Sequence, residues 1–183
     1  IHTIEYLLNN NAKVILISHF GRPDGKTMKE LSLKDLAVKI GSSVNKEVGF
    51  IEDDILKIKK DKIEKALGNY QIILLENLRF YLDEERNDEN FSKKLASFAD
   101  IYVNECFSGS HRNHSSIVGI PKFLPSFPGM LLEEEISNLK NLVINDRSSS
   151  SVAVFGGSKI STKIKIVDFY LNKFDKVLIG GAM

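Results

Sequence analysis

Lys13-Val14-Ile15-Leu16-Ile17-Ser18-His19-Phe20-Gly21-Arg22-Pro23 decides the fold class, because an apolar, strand-length run ends abruptly in a basic, glycine-containing loop. The same change recurs twice further along. Ile72-Ile73-Leu74-Leu75 runs into Glu76-Asn77-Leu78-Arg79-Phe80, and Ile101-Tyr102-Val103-Asn104 runs into a loop carrying His111-Arg112-Asn113-His114. Between these runs lie segments of helical spacing. Leu33, Leu36, Ala37 and Ile40 follow Ser32-Leu33-Lys34-Asp35, which has the form of a capping box. Ile58, Ile63, Ala66 and Leu67 lie in a lysine-rich stretch, and Phe91, Leu95 and Phe98 make a third stripe. Strands alternating with helices imply an α/β fold: a mostly parallel sheet flanked by helices, Rossmann-like, in three αβα layers. Such sheets bind ligands at the carboxyl ends of their strands, where neighbouring loops converge.

Outward from this core, Ile4, Leu7 and Leu8 have helical spacing, and Val48-Gly49-Phe50-Ile51 reads as a short strand. Three prolines between Pro121 and Pro128 argue against any strand there. Leu131 to Ile144 reads as one amphipathic helix with Leu132, Ile136, Leu139 and Val143 on one face, followed by a polar hinge at Asn145-Asp146-Arg147 and four serines. Val152-Ala153-Val154-Phe155 then opens a new strand–glycine–helix–strand unit that is the first βαβ of a second, similar domain. The expected organisation is a first domain over 1–128, a connecting helix and hinge over 129–147, and the start of a second domain over 148–183.

Bulk composition narrows the function. The chain has 183 residues, 43% of them apolar, enough for a sizeable core. A formal net charge of +1 argues against broad capture of nucleic acid, which needs a basic stripe. No apolar run approaches the roughly 20 residues needed to cross a bilayer, so no membrane partner is expected. A single cysteine, Cys106, excludes an internal disulfide and fits a reducing compartment. The chain opens on Ile1 without an initiator methionine and stops after Met183, so both ends read as cuts in a longer protein.

Arginine's planar fork suits carboxylate and phosphate, and its charge is permanent. One arginine after a strand is ordinarily a surface ion pair. Arg22, Arg79 and Arg112 all follow strands, and together they point to a site for a small, highly charged anion. His19 and His111 could donate to the same anion or serve as structural residues. Spacing alone places no carboxylate or cysteine where it would complete a metal site with them, and His2 and His114 read as structural. Glu76 reads as a partner for a nearby arginine, and Glu133-Glu134-Glu135 as an acidic helix start. The second constellation is Phe155-Gly156-Gly157-Ser158-Lys159-Ile160-Ser161-Thr162-Lys163. Glycines let backbone approach a phosphate, and Lys159 and Lys163 share a helical face. The pattern is neither a Walker A loop nor a dinucleotide fingerprint. It is either a plain turn or a nucleotide site.

Taken together the motifs closely resemble those of phosphoglycerate kinases. Ser18-His19-Phe20-Gly21-Arg22-Pro23 is similar to the family's Ser-His-Leu-Gly-Arg-Pro, and Leu74 to Phe80 matches its Leu-Leu-Glu-Asn-Leu/Val-Arg-Phe. Tyr102 to His114, Gly156 to Lys163 and Gly180-Gly181-Ala182-Met183 resemble later family motifs, in family order. The resemblance implies reversible phosphoryl transfer between 1,3-bisphosphoglycerate and ADP, giving 3-phosphoglycerate and ATP, with Mg²⁺ accompanying the nucleotide. It implies that His19, Phe20, Gly21, Arg22, Arg79 and Arg112 bind the acid substrate, with His111 supporting the basic patch. Gly156, Gly157, Lys159 and Lys163 would bind nucleotide, and Lys159 would stabilise the phosphoryl group in flight. It further implies a cytoplasmic glycolytic enzyme, a monomer at full length, of which this chain is a fragment. The family's first strand, with further substrate ligands, would precede Ile1, and its metal carboxylate would follow Met183. Glu105 stands where the family has Asp, Ser108-Gly109-Ser110 replaces Gly-Thr-Ala, and Ala182 replaces a glycine. The rival reading is a truncated, non-catalytic anion-binding domain. A nucleic-acid binder is disfavoured by the charge balance.

Overall fold

A computed structural model describes residues 1–144, 151–157 and 164–181, with the side chains of 141–144 left aside. Residues 145–150 of the expected hinge, the segment Ser158 to Lys163, and Ala182-Met183 lie outside the described residues. The chain divides into two compact units, Ile1–Glu135 and Ile136–Met183.

The first unit runs α1 (His2–Asn9), β1 (Val14–Leu16), α2 (Lys34–Val44), β2 (Val48–Ile51), α3 (Lys60–Asn69) and β3 (Ile72–Leu75). It continues through α4 (Leu82–Glu85), α5 (Glu89–Ala96), β4 (Tyr102–Asn104) and β5 (Ser126–Pro128) into α6 (Met130–Ile144), within which the boundary between the units falls. β3 is central, with β1 and β2 parallel on either side. A parallel strand covered on both faces must be apolar throughout, and every residue of β3 is buried.

Alternation along that strand builds the layers. Ile73 and Leu75 pack with Ile63 of α3 and Phe91 and Leu95 of α5. Ile72 packs instead with Leu8 of α1, and Leu74 with Leu33 and Ala37 of α2. Successive side chains on a strand point to opposite faces, so α3 and α5 cover one face and α1 and α2 the other. The α/β, parallel, helix-flanked class read from the sequence is the class of the fold.

Two local readings are corrected. Ser126–Pro128 is a strand after all, pairing parallel with β4 in the register Tyr102↔Ser126, Val103↔Phe127, Asn104↔Pro128. Proline cannot donate to a ladder but can accept from one, and an exposed edge strand tolerates it. Tyr102 N–H donates to the Pro125 carbonyl (2.9 Å), and Gly129 N–H donates to the Asn104 carbonyl (2.8 Å). The second correction concerns the start of α2, where the Ser32 hydroxyl donates to the Glu76 carboxylate at 2.7 Å and the Leu33 N–H to the same group at 2.9 Å. Glu76, just after β3, accepts at the start of that helix, and among the described residues it pairs with no arginine. One of its oxygens takes up the Leu33 N–H, a donor that a helix start leaves free.

Glu105 has a similar duty at α6. It accepts from the Leu132 N–H (3.1 Å) and from the Thr3 hydroxyl. A Cβ at Gly129 would collide with that carboxylate, so glycine is required where the chain turns into the helix. Of the face expected on α6, Leu132 is buried, while Ile136 and Leu139 are each 36% exposed.

Tyr81 pins the loop before α3. Its hydroxyl accepts from the Ile55 N–H (2.9 Å) and donates to Asp54 (3.2 Å). Burial, reinforced by the negative charge of Asp54, pushes its phenol up to about 12. A folded-state value above the unfolded one near 10 means stability that is complete below pH ~10 and lost as pH rises through the folded value. Tyr81→Phe should therefore be less stable than the parent at pH 8 and lose less on going to pH 11. Urea midpoints at the two pH values check this.

In the second unit β6 (Val152–Phe155) pairs parallel with β7 (Lys176–Ile179) around α7 (Ile164–Leu171). Phe155, Tyr170 and Phe174 pack ring on ring, with centroids 5.8 Å and 5.0 Å apart. This is the βαβ unit expected from the sequence.

Candidate functional site

Because β1 and β3 are parallel neighbours, the loops leaving their carboxyl ends lie side by side. Asn77, fully buried, stitches them together. Its amide nitrogen donates to the carbonyls of Phe20 (2.8 Å) and Leu31 (2.9 Å). Its amide oxygen accepts from the N–H groups of Phe20 (3.2 Å) and Arg79 (3.1 Å). One side chain thus satisfies four backbone groups across two loops. Leu78 N–H adds a bond to the Ser18 carbonyl at 3.2 Å.

Arg79 is held at the same seam. Its Nη1 donates to the Gly21 carbonyl at 2.5 Å, and its Nε lies 3.7 Å from Glu85. Gly21 has φ +64°, and a Cβ there would run into the Leu31 side chain. Only glycine adopts that backbone at low cost, so the loop presents its carbonyl to Arg79. Phe20 and Arg22 are exposed on this loop, while Pro23 is buried. Among the described residues Arg22 has no ion-pair partner, which leaves its guanidinium free for a ligand.

The loop after β4 joins through a carboxylate. Glu84, on α4, is fully buried. Its Oε1 lies 2.7 Å from His19 Nε2 and 3.8 Å from His114 Nδ1. Ser116 donates to it through its N–H (3.0 Å, to Oε2) and its hydroxyl (2.5 Å, to Oε1). The His19 and His114 rings meet edge to face at 5.9 Å. Burial pulls His114 below the usual imidazole range, against an opposing pull from Glu84. The Nδ1 of His114 is buried and makes no hydrogen bond among the described residues. His111 and Arg112 are exposed on the same loop, and Arg112 has no ion-pair partner among the described residues.

The fold therefore brings the His19–Arg22 loop, the Arg79 loop and the Arg112 loop to one rim. Gly156 and Gly157 belong to the second unit and are exposed at the end of β6, with Gly157 at φ 117°. Lys159 and Lys163 lie outside the described residues. Three residues that sequence reasoning passed over organise the rim: Asn77, Glu84 and Ser116. Glu84 sits in the acidic run Asp83-Glu84-Glu85 on the short helix α4. Among the described residues, His19, Glu84 and His114 form a group whose metal-ligating atoms lie within 4.8 Å of one another.

These features define a Rossmann-like α/β domain whose cationic loops leave the carboxyl ends of parallel strands, β1 and β3 in the three-stranded sheet and β4 in its own pair with β5. A sequence model of the phosphoglycerate kinase family matches residues 1–183, the whole chain, and the chain belongs to that family. It is 49% identical over 181 residues to the phosphoglycerate kinase of Wolbachia sp. subsp. Brugia malayi, covering 99% of this chain and 45% of the relative. The corresponding figures for the Finegoldia magna phosphoglycerate kinase are 45% identity, 99% and 46%. The solved structure of phosphoglycerate kinase from Coxiella burnetii superposes with a TM-score of 0.82 at 33% identity, over 98% of this chain and 44% of that one. That from Pyrococcus horikoshii OT3 gives 0.81 at 30% identity, over 98% and 45%. The chain spans about half the length of the relatives it matches.

Proposed function

We propose that this segment supplies the acid-substrate half of a phosphoglycerate kinase, which moves a phosphoryl group between 1,3-bisphosphoglycerate and ADP to give 3-phosphoglycerate and ATP. The observation that carries the reading is the rim at the ends of β1, β3 and β4, where Asn77 and Glu84 tie three cationic loops together. Residues 1–128 form the 3-phosphoglycerate domain, 129–147 the connecting helix and hinge, and 148–183 the start of the nucleotide domain.

An anion with a carboxylate at one end and a phosphate at the other needs several forked donors in fixed places. His19, Arg22, Arg79 and Arg112 take these parts, the backbone at Phe20 and Gly21 shapes the loop, and His111 adds to the local field. Gly156 and Gly157 let backbone approach the nucleotide phosphates, Lys163 binds them, and Lys159 neutralises charge on the group in transfer. Such transfer rests on positioning and charge stabilisation more than on covalent chemistry. Mg²⁺ enters with ATP or ADP and supplies charge neutralisation at the phosphates. It prefers oxygen donors, so the two imidazoles beside Glu84 are not its site and no step here runs through it. The working protein is a cytoplasmic, ATP-binding monomer of glycolysis.

Arg112 gives the test. In an enzyme of family length carrying this segment, Arg112→Ala should raise the dissociation constant for 3-phosphoglycerate about tenfold or more, since a charge-assisted hydrogen bond is worth about 1.5–3 kcal/mol. Nucleotide affinity should stay the same. Calorimetric titration with each ligand decides it, and an unchanged 3-phosphoglycerate constant removes Arg112 from the site.

A further inference from the structure

Glu84 carries a buried carboxylate that no step of phosphoryl transfer uses. Burying such a group is costly unless donors surround it, and here the donors come from two other loops. Ser116 N–H meets Oε2 at 3.0 Å, and Ser116 Oγ and His19 Nε2 meet Oε1 at 2.5 Å and 2.7 Å. We propose that Glu84 is a positioning residue that accepts the Nε2–H of His19 and fixes the orientation of that ring, so that Nδ1 faces the anionic substrate and donates to it when the ring takes up a second proton in the complex. For the identity of the ligand this rests on the phosphoglycerate reading; for the tautomer it does not.

The proton assignment follows from what each group can do. A backbone N–H only donates, so Oε2 is committed as acceptor to Ser116. Oε1 likewise accepts from the Ser116 hydroxyl, so both oxygens act as acceptors and the hydrogen bond to His19 requires a proton on Nε2. The partner of one ring nitrogen thereby sets the state of the other. Among the described residues Nδ1 of His19 makes no hydrogen bond, and the side chain keeps 20% of its exposure. A metal bound by the same three side chains fits less well. A tetrahedral zinc ion with bonds of ~2.0–2.1 Å holds its ligand atoms about 3.3 Å apart. His19 Nε2 and Glu84 Oε1 are closed to 2.7 Å, a hydrogen-bond distance.

Glu84→Gln discriminates sharply. The amide oxygen must take the Oε2 position, because only an acceptor satisfies the Ser116 N–H. The amide nitrogen then faces His19 and donates to Nε2, which drives the ring proton to Nδ1. Long-range ¹⁵N–¹H spectra of a family-length protein labelled at histidine read both states directly. The expected result is a His19 ring protonated on Nε2 in the free parent and on both nitrogens with 3-phosphoglycerate bound, and a ring protonated on Nδ1 alone in free and bound Glu84→Gln. In the complex the variant then offers a neutral Nδ1–H in place of a charged donor, so it should raise the KM for 3-phosphoglycerate by about tenfold and leave the KM for ATP alone. A free parent ring protonated on Nδ1 alone, a bound parent ring without a proton on Nδ1, or a tautomer untouched by the substitution overturns the proposal. If the variant does not fold, the parent spectrum alone decides. A tautomer switch in a protein without phosphoglycerate turnover would refute the function and leave the positioning role intact. Stoichiometric perturbation of the ring nitrogens of both His19 and His114 by zinc alone would overturn it in favour of a metal site.

Discussion

Asn77→Asp should cost about 3–5 kcal/mol of stability at pH 7, the range for an uncompensated buried charge, and should remove 3-phosphoglycerate binding with it. The substitution replaces the amide nitrogen by an oxygen, and every consequence follows from that atom. In the parent the nitrogen donates to the Phe20 and Leu31 carbonyls at 2.8 Å and 2.9 Å. A carboxylate would set negative charge against both carbonyls, in a position with no exposure to water. Its other oxygen could keep the bonds from the Phe20 and Arg79 N–H groups, so the damage is confined to the donor side. The two loops that carry His19, Arg22 and Arg79 would lose their shared clasp. Protonation offers partial relief, because one O–H can satisfy one of the carbonyls. The introduced carboxyl should therefore titrate above its unfolded value of about 3.9. Relative to the parent, the deficit should be small below pH ~4 and grow as pH rises toward the folded-state value. Urea denaturation at pH 4 and pH 7 measures both. A deficit equal at the two values would mean that shape and not charge is at fault, and an unaltered midpoint would show that Asn77 is not the clasp.

What the sequence made legible is what depends on local pattern. The Ile72–Leu75 run identifies a covered strand by composition alone, and the basic loops after it and after Ile17 follow because ligand loops leave the carboxyl ends of parallel strands. Asn77 was invisible as a clasp, since its partners at Phe20 and Leu31 lie 57 and 46 residues away. Glu76 was assigned to an arginine because charge pairs are the default for an acid beside one. The fold spends it on the start of α2, a choice that depends on where two elements pack. Glu84 carries no local signal, since nothing in Asp83-Glu84-Glu85 tells which member turns inward. β5 was missed because proline content speaks against strands in general, and only the pairing geometry shows that this edge asks for acceptors. The errors share a cause: each concerns a polar group whose partner is distant in sequence.

Phe91→Ala should be the most damaging apolar truncation near the site, costing about 3–5 kcal/mol as expected for a large aromatic removed from a tight core. Phe91 is fully buried. It packs in one cluster with Ile63 of α3, Ile73 and Leu75 of β3 and Leu95 of α5. Its ring lies 5.1 Å from that of Tyr81. Truncation would leave a void bordered by two helices and the central strand, none of which can close it without moving the sheet. Phe91→Leu keeps most of the volume and should cost less than half as much. The contrast with Asn77→Asp is informative about mechanism. A cavity carries no titratable group, so the Phe91→Ala deficit should be the same at pH 4 and pH 7, where the Asn77→Asp deficit changes. Urea midpoints for both variants at both pH values separate the contributions. If Phe91→Ala proved pH-dependent as well, the cavity would be acting through a charged neighbour, and Glu84 on the adjoining helix α4 would be the residue to examine. If it cost under about 1 kcal/mol, the core would be collapsing around the void, and the α5 face would be softer than its packing implies.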